Sequence, residues 1–340
     1  MSGPILPSGP IRLIQAGAGG MGRAWLGTIA GNPDVELVGL ADLDPELARR
    51  AADDHGFAGL PVAGSVEELL AATEADAMIN VTVPEAHRAT SELALRHGLA
   101  VLCEKPMAPS VQDCRAMIAA AATAGRLLMV SQSRRYFRTL YAFERQLRTL
   151  GRPELLSCEF FKAPHFGGFR ERMPEPLLVD MAIHQFDLAR KLISSEPVSV
   201  RCRSFNPSWS WFDGNAAAEA AFEFADGAVF SFVGSWCAPG LETSWNGRWR
   251  ASTASGTAIW DGDGEPVAET AAGEPLPVEV GTEPEQIAGS LAEFVTALRT
   301  GERPQTEGRS NINSVAMVEA AVRSSRTGAA VSLTDLSRPG

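Results

Sequence analysis

From residue 11 to about residue 132, short apolar runs alternate with stretches of helical periodicity, a pattern typical of parallel βαβ units. The runs predict strands at residues 11–16, 35–41, 77–83, 100–103 and 127–131. Each run is almost continuously apolar, as expected for strands that helices cover on both faces. Ser65 and Ser110 are each followed three residues later by an acidic residue, which predicts that both cap the start of a helix.

After Arg138 the pattern changes to longer alternating segments, which predict antiparallel strands at residues 155–161, 198–205, 216–224, 228–236 and 247–253. Asp226-Gly227, between two of these segments, predicts a tight hairpin turn. Helices are predicted at residues 176–193, 284–299 and 311–327, and a surface loop rich in Gly, Glu and Pro at residues 261–277. The predicted fold is α/β, with a doubly wound Rossmann domain at residues 1–132. An α+β domain with a large open, mainly antiparallel sheet follows at residues 133–340, and its closing helices return toward the first domain.

Length and composition agree with this division. A chain of 340 residues exceeds the roughly 250 to 300 residues at which a single core stops growing. The formal net charge of -11 repels nucleic acid backbones, so nucleic acid is not a predicted partner. Five cysteines without a CxxC pair predict reduced thiols and a cytoplasmic protein. Residues 1–10 lack the pattern of a signal peptide, and no apolar run reaches the roughly 18 residues of a membrane span, so no membrane association is predicted.

A glycine motif follows the first predicted strand directly. Gly17, Gly19 and Gly22 have the GxGxxG spacing and precede a helical pattern. The first glycine permits a tight turn, the second lets the main chain approach a pyrophosphate, and the third allows close packing of strand and helix. Unpaired N–H groups at the helix start suit phosphates. In this context the motif predicts a dinucleotide site, whereas an isolated glycine triplet could equally be a flexible turn.

Asp42 ends the second predicted strand, twenty positions after Gly22. A carboxylate at this position can accept hydrogen bonds from the adenosine ribose 2′-OH, and its charge repels a 2′-phosphate. Because neither Arg nor Lys follows the strand directly, the predicted cofactor is NAD, with NADP as the alternative. Asp42 or Asp44 could instead simply cap the next helix.

Glu104-Lys105-Pro106 follows the strand predicted at residues 100–103, at the sheet edge where open parallel sheets bind ligands. An ammonium group there can polarise a substrate oxygen or stabilise a developing alkoxide. Considered alone, Glu-Lys is commonly a solvated pair.

Asp180 and His184 are four residues apart on the helix predicted at residues 176–193, so their side chains should share a face, which Asp187 extends. Histidine can take and return a proton near neutral pH, and a neighbouring aspartate can orient its ring. The hypothesis is that His184 removes the hydroxyl proton during alcohol oxidation. The alternatives are a solvated polar seam and a divalent metal site, but no third ligand follows at a recognisable spacing, and no metal is predicted.

In their order these motifs resemble the Gfo/Idh/MocA oxidoreductases over essentially the whole chain. Residues 17–22 with Asp42 are similar to the dinucleotide fingerprint of that family, residues 80–87 to its nicotinamide loop, residues 104–106 to its EKP signature and residues 180–187 to its DxxxHxxD helix. The tail, residues 292–333, resembles its closing helices. The resemblance implies that Lys105, Asp180 and His184 surround the reacting carbon. It also implies that the large sheet makes dimer or tetramer contacts. The implied cofactor contacts are Gly17, Ala18, Gly19, Gly20, Met21, Gly22, Asp42, Val81, Thr82, Pro84, His87, Glu104, Lys105 and Gln132.

Two departures leave the substrate unassigned. Residues 172–179 replace a glycine-rich run that often precedes the aspartate, and Trp25 stands where histidine is common in the family. Besides Asp180 and His184, candidate substrate contacts are Gln132, Arg134, Arg135, Tyr136, His165, Phe166 and Arg170. Arginines of this kind are also ordinary on protein surfaces. Five tryptophans, which suit either sugar platforms or packing of the sheet and an oligomer interface, are Trp209, Trp211, Trp236, Trp245 and Trp249.

Together the patterns predict an NAD-dependent oxidoreductase that transfers hydride between nicotinamide and a hydroxyl or keto carbon of a sugar, cyclitol or related polyol. A homodimer or homotetramer is expected. Three alternatives stay open, because function depends on the site and not on the fold. They are a redox-neutral enzyme that uses bound NAD transiently, such as a glycosidase or an epimerase-like enzyme, a regulatory module without catalysis, and a reductase for an imine or dihydrodiol.

Overall fold

The computed structural model describes residues 9–333. The prediction that residues 1–10 form no signal peptide therefore lies mostly outside the described residues. The chain forms two compact units. The first contains residues 9–133 and 286–312, and the second contains residues 134–285 and 313–333.

The first unit contains a six-stranded sheet in which all neighbouring strands are parallel, in the order β3-β2-β1-β4-β5-β6. This order is that of a doubly wound dinucleotide-binding sheet, which confirms the fold predicted for this part. The strands, numbered in chain order, are β1 Ile11–Ala16, β2 Val35–Ala41, β3 Val62–Ala63, β4 Ala77–Asn80, β5 Ala100–Glu104 and β6 Leu128–Ser131. The short β3 was not predicted, and the strand predicted at residues 77–83 ends at Asn80.

The helices of the first unit are α1 Gly20–Ala30, α2 Pro45–Asp54, α3 Val66–Ala72, α4 Pro84–Arg96, α5 Val111–Ala124 and α9 Gln286–Thr300. Both predicted caps are present, because the hydroxyl oxygens of Ser65 and Ser110 accept hydrogen bonds from the main-chain N–H groups of Glu68 and Asp113. These caps satisfy N–H groups that have no partner within the helix.

The second unit contains an eight-stranded sheet in the order β13-β12-β11-β7-β10-β9-β8-β14. Among the described strands of this second sheet, only β7 and β10 pair in parallel, which confirms the predicted mainly antiparallel sheet. The strands are β7 Leu155–Phe161, β8 Pro197–Phe205, β9 Ala217–Phe224, β10 Val229–Ser235, β11 Arg248–Thr253, β12 Gly256–Trp260, β13 Val267–Thr270 and β14 Val331–Ser332. The predicted hairpin joins β9 to β10 and has Gly227 at φ +88°.

Two predictions for this part of the chain are corrected. The segment at residues 261–277 is not a loop throughout, because it contains the strand β13. The helix predicted at residues 176–193 consists of a π-helix, Leu177–Ala182, followed by an α-helix, α8 Ile183–Ile193. The other helices of the unit are α6 Arg138–Leu150, α7 Gly168–Glu171 and α10 Gly308–Thr327, of which α10 begins within the first unit.

The core of the second unit lies between α8 and the sheet. Phe186 of α8 is fully buried, and its ring centroid lies 4.8 Å from that of Phe222 and 5.4 Å from that of Phe232. Both pairs meet edge to face, a favourable geometry for aromatic rings. This packing fixes the helix that carries His184 against the sheet.

Within residues 9–333, no helix is long and apolar enough to cross a membrane. In the same part of the chain, no three His, Cys, Asp or Glu side chains are grouped so that they could hold a metal ion. The five cysteines are buried and form no disulfide.

Candidate active site

The glycine motif occupies the turn between β1 and α1, and each glycine has a distinct geometry. Gly17 has φ +104°, and a Cβ there would lie 2.5 Å from the carbonyl oxygen of Val81. A Cβ on Gly22 would lie 2.3 Å from the carbonyl oxygen of Gly17. At Gly19, by contrast, a Cβ would meet no atom within 4 Å. The first and third glycines therefore permit the turn and its packing, and the second borders open space.

Buried hydrogen bonds fix this turn. The side-chain amide of Gln15 donates to the carbonyl oxygens of Gly17 and Gly22, at 2.8 and 3.0 Å. Gly19 is the N-cap of α1 and provides no side chain to cap its first N–H groups. A preformed turn with open space and helix N–H donors fits the pyrophosphate of a dinucleotide.

Asp42 lies beside this turn and does not cap α2. The N-cap of α2 is Asp44, whose carboxylate accepts hydrogen bonds from the N–H groups of Glu46 and Leu47. One carboxylate oxygen of Asp42 accepts from the Ala18 N–H at 2.7 Å, and the other accepts from the Asp44 N–H at 3.0 Å. The capping alternative thus applies to Asp44, and Asp42 is held at the carboxyl end of β2, next to the glycine turn.

The segment between β4 and α4 is tied to the loop after β5 by a buried histidine. Nδ1 of His87 lies 2.8 Å from the carbonyl oxygen of Pro106, and Nε2 lies 3.1 Å from that of Thr82. Burial lowers the pKa of His87, although its backbone hydrogen bonds oppose this. The lowered pKa favours the neutral ring near pH 7, which carries one N–H and therefore donates to only one of these two carbonyl oxygens at a time.

Glu104 and Lys105 lie at the same edge, at the end of β5. Glu104 is buried, and burial raises the pKa of its carboxyl group, whereas hydrogen bonds oppose the rise. Lys105 is half-buried. The hydrogen bond between the Trp25 indole and Glu104 was not foreseen from the sequence, because 79 residues separate the two positions.

Lysine is rare in this chain, and this rarity is a sequence signal that singles out Lys105. Three of the thirty basic residues are lysines. Two of them lie in the second unit in ion pairs, Lys162 with Glu242 and Lys191 with Glu144, each at 2.9 Å. The third is Lys105, so a lysine at the carboxyl edge of β5 is not one of many surface lysines.

Asp180 and His184 lie on either side of a change in helix type. Asp180 belongs to the π-helix and His184 to α8. Residues four apart share a face only in a continuous α-helix, so the spacing alone does not place Asp180 and His184 on one face. Nε of Arg170 donates to Oδ2 of Asp180 at 2.7 Å. His184 is 6 % exposed. Single π-helical turns are frequent at functional sites, which is consistent with a functional role for this junction.

The third member of the predicted polar stripe is structural. Asp187 is buried, and its carboxylate accepts two hydrogen bonds from the guanidinium of Arg135, at 2.6 and 2.9 Å. The Ser314 hydroxyl donates to the same carboxylate at 2.6 Å. Since His184 and Asp187 are both buried, the solvated-seam alternative fails for these two positions.

The remaining substrate candidates differ in their surroundings. Arg134 donates to Asn246, and burial lowers the pKa of Arg134 to about 10. Tyr136 is buried, and His165 is exposed and stacks on Trp211 with ring centroids 3.9 Å apart. Gln132, at the end of β6, is 1 % exposed, and neither atom of its side-chain amide has a hydrogen-bond partner among the described residues.

Four of the five tryptophans singled out in the sequence fall into two groups. Trp236 and Trp249 are buried and pack the second unit, so they cannot serve as open platforms. Trp209 and Trp245 are 63 % and 39 % exposed. The predicted site residues are thus divided between the units: the glycine turn, Asp42, His87 and Lys105 lie in the first, and Asp180, His184 and Arg170 lie in the second.

Two protein-family models match the chain. Residues 11–132 match the oxidoreductase family with an NAD-binding Rossmann fold, and residues 147–261 match the GFO/IDH/MocA C-terminal domain. Both models belong to one family, and together they cover more than half of the chain.

Curated relatives agree with these matches. D-apiose dehydrogenase of Paraburkholderia graminis is 29% identical over 330 residues, which cover 89% of this chain and 84% of that protein. The 1,5-anhydro-D-fructose reductase of Ensifer adhaerens is 26% identical over 329 residues, covering 93% and 97%.

Among solved structures, an oxidoreductase from Agrobacterium radiobacter in complex with NAD+, L-tartaric acid and magnesium is similar with a TM-score of 0.85. It is 20% identical, with 96% of this chain and 99% of that chain covered, and shows a common fold. Given the two family matches and the parallel and antiparallel sheets described above, this chain belongs to the Gfo/Idh/MocA family of NAD-binding oxidoreductases.

Proposed function

We propose that this chain is an NAD-dependent dehydrogenase or reductase that transfers hydride between nicotinamide and a hydroxyl or keto carbon of a sugar, cyclitol or related polyol. The family supplies the reaction class and the NAD-binding domain. The names of the two relatives above refer to sugar-like compounds, which favours a carbohydrate-like substrate.

The observation that carries this proposal is the placement of Lys105. It follows β5 directly, at the same edge of the parallel sheet at which the glycine turn follows β1 and Asp42 follows β2. Open α/β sheets bind ligands at the carboxyl ends of their strands. A cationic donor at that edge suits stabilisation of an oxygen that gains negative charge during the reaction.

The first unit would hold the cofactor. The glycine turn and the N-terminus of α1 suit the pyrophosphate, and the Asp42 carboxylate suits the hydroxyls of the adenosine ribose. The negative charge of Asp42 disfavours a 2′-phosphate, so we assign NAD as the cofactor, with NADP as the weaker ligand. Bound NAD supplies the hydride acceptor, and NADH the donor. Besides Asp42, the thirteen other cofactor contacts that the family resemblance implies, from Gly17 to Gln132, are part of this proposal.

The second unit would supply the proton chemistry. We assign to an imidazole nitrogen of His184 the removal of the hydroxyl proton in oxidation and its return in reduction. Nζ of Lys105 polarises the substrate oxygen, and Asp180, held by Arg170, orients the histidine. In this scheme residues 1–132 bind the dinucleotide and supply Lys105, and residues 133–340 supply the other substrate contacts.

We also propose that the exposed face of the eight-stranded sheet joins two copies of the chain. One cross-strand row places the exposed residues in the order Arg203, Glu219, Val233, Glu159 and Arg248. This row is positive at both ends, negative inside them and apolar at its centre, so a symmetric contact offset by one strand places Arg203 of one copy opposite Glu159 of the other. Sedimentation should give a dimer or tetramer that Arg203→Glu weakens, and a monomeric wild type would contradict the assignment.

The test of the proposed reaction is an absorbance scan at the NADH band with NAD and a panel of inositols, aldoses, sugar acids and glycosides. Stable growth of the band with one polyol is the expected result. Lys105→Met and His184→Asn should retain NAD binding while turnover falls by orders of magnitude, and Lys162→Met serves as the control for loss of a lysine. NAD binding with no band for any polyol would contradict net dehydrogenation and favour the redox-neutral alternative.

A further inference from the structure

The indole of Trp25 makes a buried hydrogen bond to the residue next to Lys105. Trp25 lies on α1 and is fully buried, and its Nε1–H donates to Oε1 of Glu104 at 2.9 Å. The other oxygen of the same carboxylate, Oε2, accepts from the main-chain N–H of Lys105 at 3.0 Å. One carboxylate thus connects a side chain of α1 to the main chain of Lys105.

The position of Trp25 makes this connection relevant to the glycine turn. The helix α1 begins at that turn, and Trp25 is three residues beyond Gly22, the last glycine of the motif. The loop after β5 and the helix after β1 are therefore joined inside the first unit by a side chain that does not titrate. Hydrogen bonds to an ionised acceptor are shorter and stronger than those between neutral groups.

The charge state of Glu104 determines whether the connection is strong. Burial raises the pKa of Glu104, while the Trp25 hydrogen bond and the charge of Lys105 lower it. The other titratable groups beside it are neutral near pH 7, since burial raises the pKa of the Cys103 thiol and lowers that of His87, which contacts Pro106. Of these three groups, Glu104 is therefore the one whose titration changes the connection.

We infer that Trp25 is a positioning residue for Lys105, which acts by holding the Glu104 carboxylate against the Lys105 main chain. The indole fixes the carboxylate of Glu104, and the carboxylate fixes the main-chain N–H of Lys105. The fixed main chain in turn sets the direction in which the lysine side chain leaves the sheet edge. The catalytic consequence rests on the proposed function, whereas the structural connection does not.

Nuclear magnetic resonance can test the connection without turnover, because the reporters are few. The chain has three lysines and seven tryptophans. Reductive methylation with labelled formaldehyde gives one methyl signal for each lysine, with that of Lys105 assigned by Lys105→Arg, and nitrogen labelling gives one indole signal for each tryptophan. In the unsubstituted protein, the chemical shifts of the Lys105 methyl signal and the Trp25 indole signal should change with pH and share one midpoint in the acid range, that of Glu104. Glu104→Gln should remove this transition from the Lys105 signal.

Trp25→Phe removes the donor and should move the midpoint seen at Lys105 upward by about one pH unit, the size expected for loss of a hydrogen bond to a charged group. Trp249→Phe is the matched control, because Trp249 is equally buried and its indole donates to the carbonyl oxygen of Asn246 in the second unit. If a substrate is found, Trp25→Phe should lower kcat roughly tenfold or more with the Kd for NAD unchanged.

Separate midpoints for Lys105 and Trp25 in the unsubstituted protein would overturn the inference, even if Trp25→Phe fails to fold. The inference also fails if Trp25→Phe leaves the Lys105 midpoint in place, or if Trp249→Phe moves it equally. A silent substrate panel combined with the expected signals would reject the proposed reaction and leave the positioning pair intact.

Discussion

The guanidinium of Arg135 and the carboxylate of Asp187 form a buried ion pair, with N–O distances of 2.6 and 2.9 Å. Burial alone would raise the pKa of Asp187, but the charge of Arg135 and its hydrogen bonds bring the pKa below the ordinary value. Asp187 is therefore ionised, and its partner neutralises it inside the second unit. The last aspartate of the DxxxHxxD pattern acts in folding, apart from the proton chemistry assigned to His184.

Arg135→Met should destabilise the second unit by about 3 kcal/mol, because the buried Asp187 carboxylate loses its bidentate partner and keeps only the Ser314 hydroxyl and the Arg190 guanidinium at 3.8 Å. Urea unfolding followed by circular dichroism measures the loss as a lower midpoint. Arg96→Met, which breaks an exposed pair with Glu92, is the control and should cost less than about 1 kcal/mol. Equal effects of the two substitutions would show that the buried pair is not important for stability.

Gly19→Ala should fold normally and bind NAD poorly. Gly19 has φ -67°, and a Cβ there meets no atom within 4 Å, so the methyl group strains nothing in the protein. The methyl group would occupy the space that suits the pyrophosphate, and the Kd for NAD should rise roughly tenfold or more. Calorimetric titration measures the Kd, and thermal unfolding should show an unchanged Tm.

The control for that substitution is Gly17→Ala, which places a Cβ 2.5 Å from the carbonyl oxygen of Val81 at a positive φ and should lower the Tm. NAD binding by Gly19→Ala with unchanged affinity would mean that the dinucleotide lies elsewhere.

Asp42→Ser should change the preference between NAD and NADP. The carboxylate repels a 2′-phosphate and accepts hydrogen bonds from ribose hydroxyls, so its removal weakens NAD and improves NADP. The ratio of the two Kd values should move by roughly tenfold or more, the equivalent of about 1.4 kcal/mol. Asp44→Ser, which retains a capping hydroxyl at α2, is the matched control. An unchanged ratio in Asp42→Ser would remove Asp42 from cofactor discrimination.

The stability of the first unit should depend on pH through His87. Because burial lowers the pKa of His87, the unfolded chain binds a proton more readily than the folded one. The contribution of the neutral His87 ring to the free energy of unfolding is fully present above a pH of about 6.5. It declines as the pH falls from there toward the lowered pKa of the folded state. His87→Gln should make the fall of Tm between pH 7 and 5 shallower. His97→Gln, at the exposed end of α4, controls for loss of a histidine, and identical Tm profiles in wild type and His87→Gln would refute this linkage.

Much of the fold followed from local pattern. The strands β1, β2 and β7 begin and end where their apolar or alternating segments do, because burial of their faces leaves a continuous signal. β3 has two residues, too few for any period, and β13 has four residues between Pro266 and a glycine-containing turn, so turn residues conceal it.

The site was less predictable, because its decisive contacts join distant positions. Trp25 and Glu104 are 79 residues apart, and Arg135 and Asp187 are 52 apart, so no local period indicates either pair. The π-helix around Asp180 was missed for a different reason. Its residue types resemble those of an ordinary amphipathic helix, and the change in hydrogen-bond spacing is a property of the backbone.

The most direct test of the proposed reaction follows the hydride itself. The protein is incubated with NADH that carries deuterium on both positions of nicotinamide C4, together with keto-inositols and ketosugars, and the products are weighed by mass spectrometry. One product should gain a single carbon-bound deuterium with wild-type protein, and none should do so with Lys105→Met. NADH that binds the protein and keeps both deuterons in the presence of every ketone would contradict hydride transfer to a keto carbon.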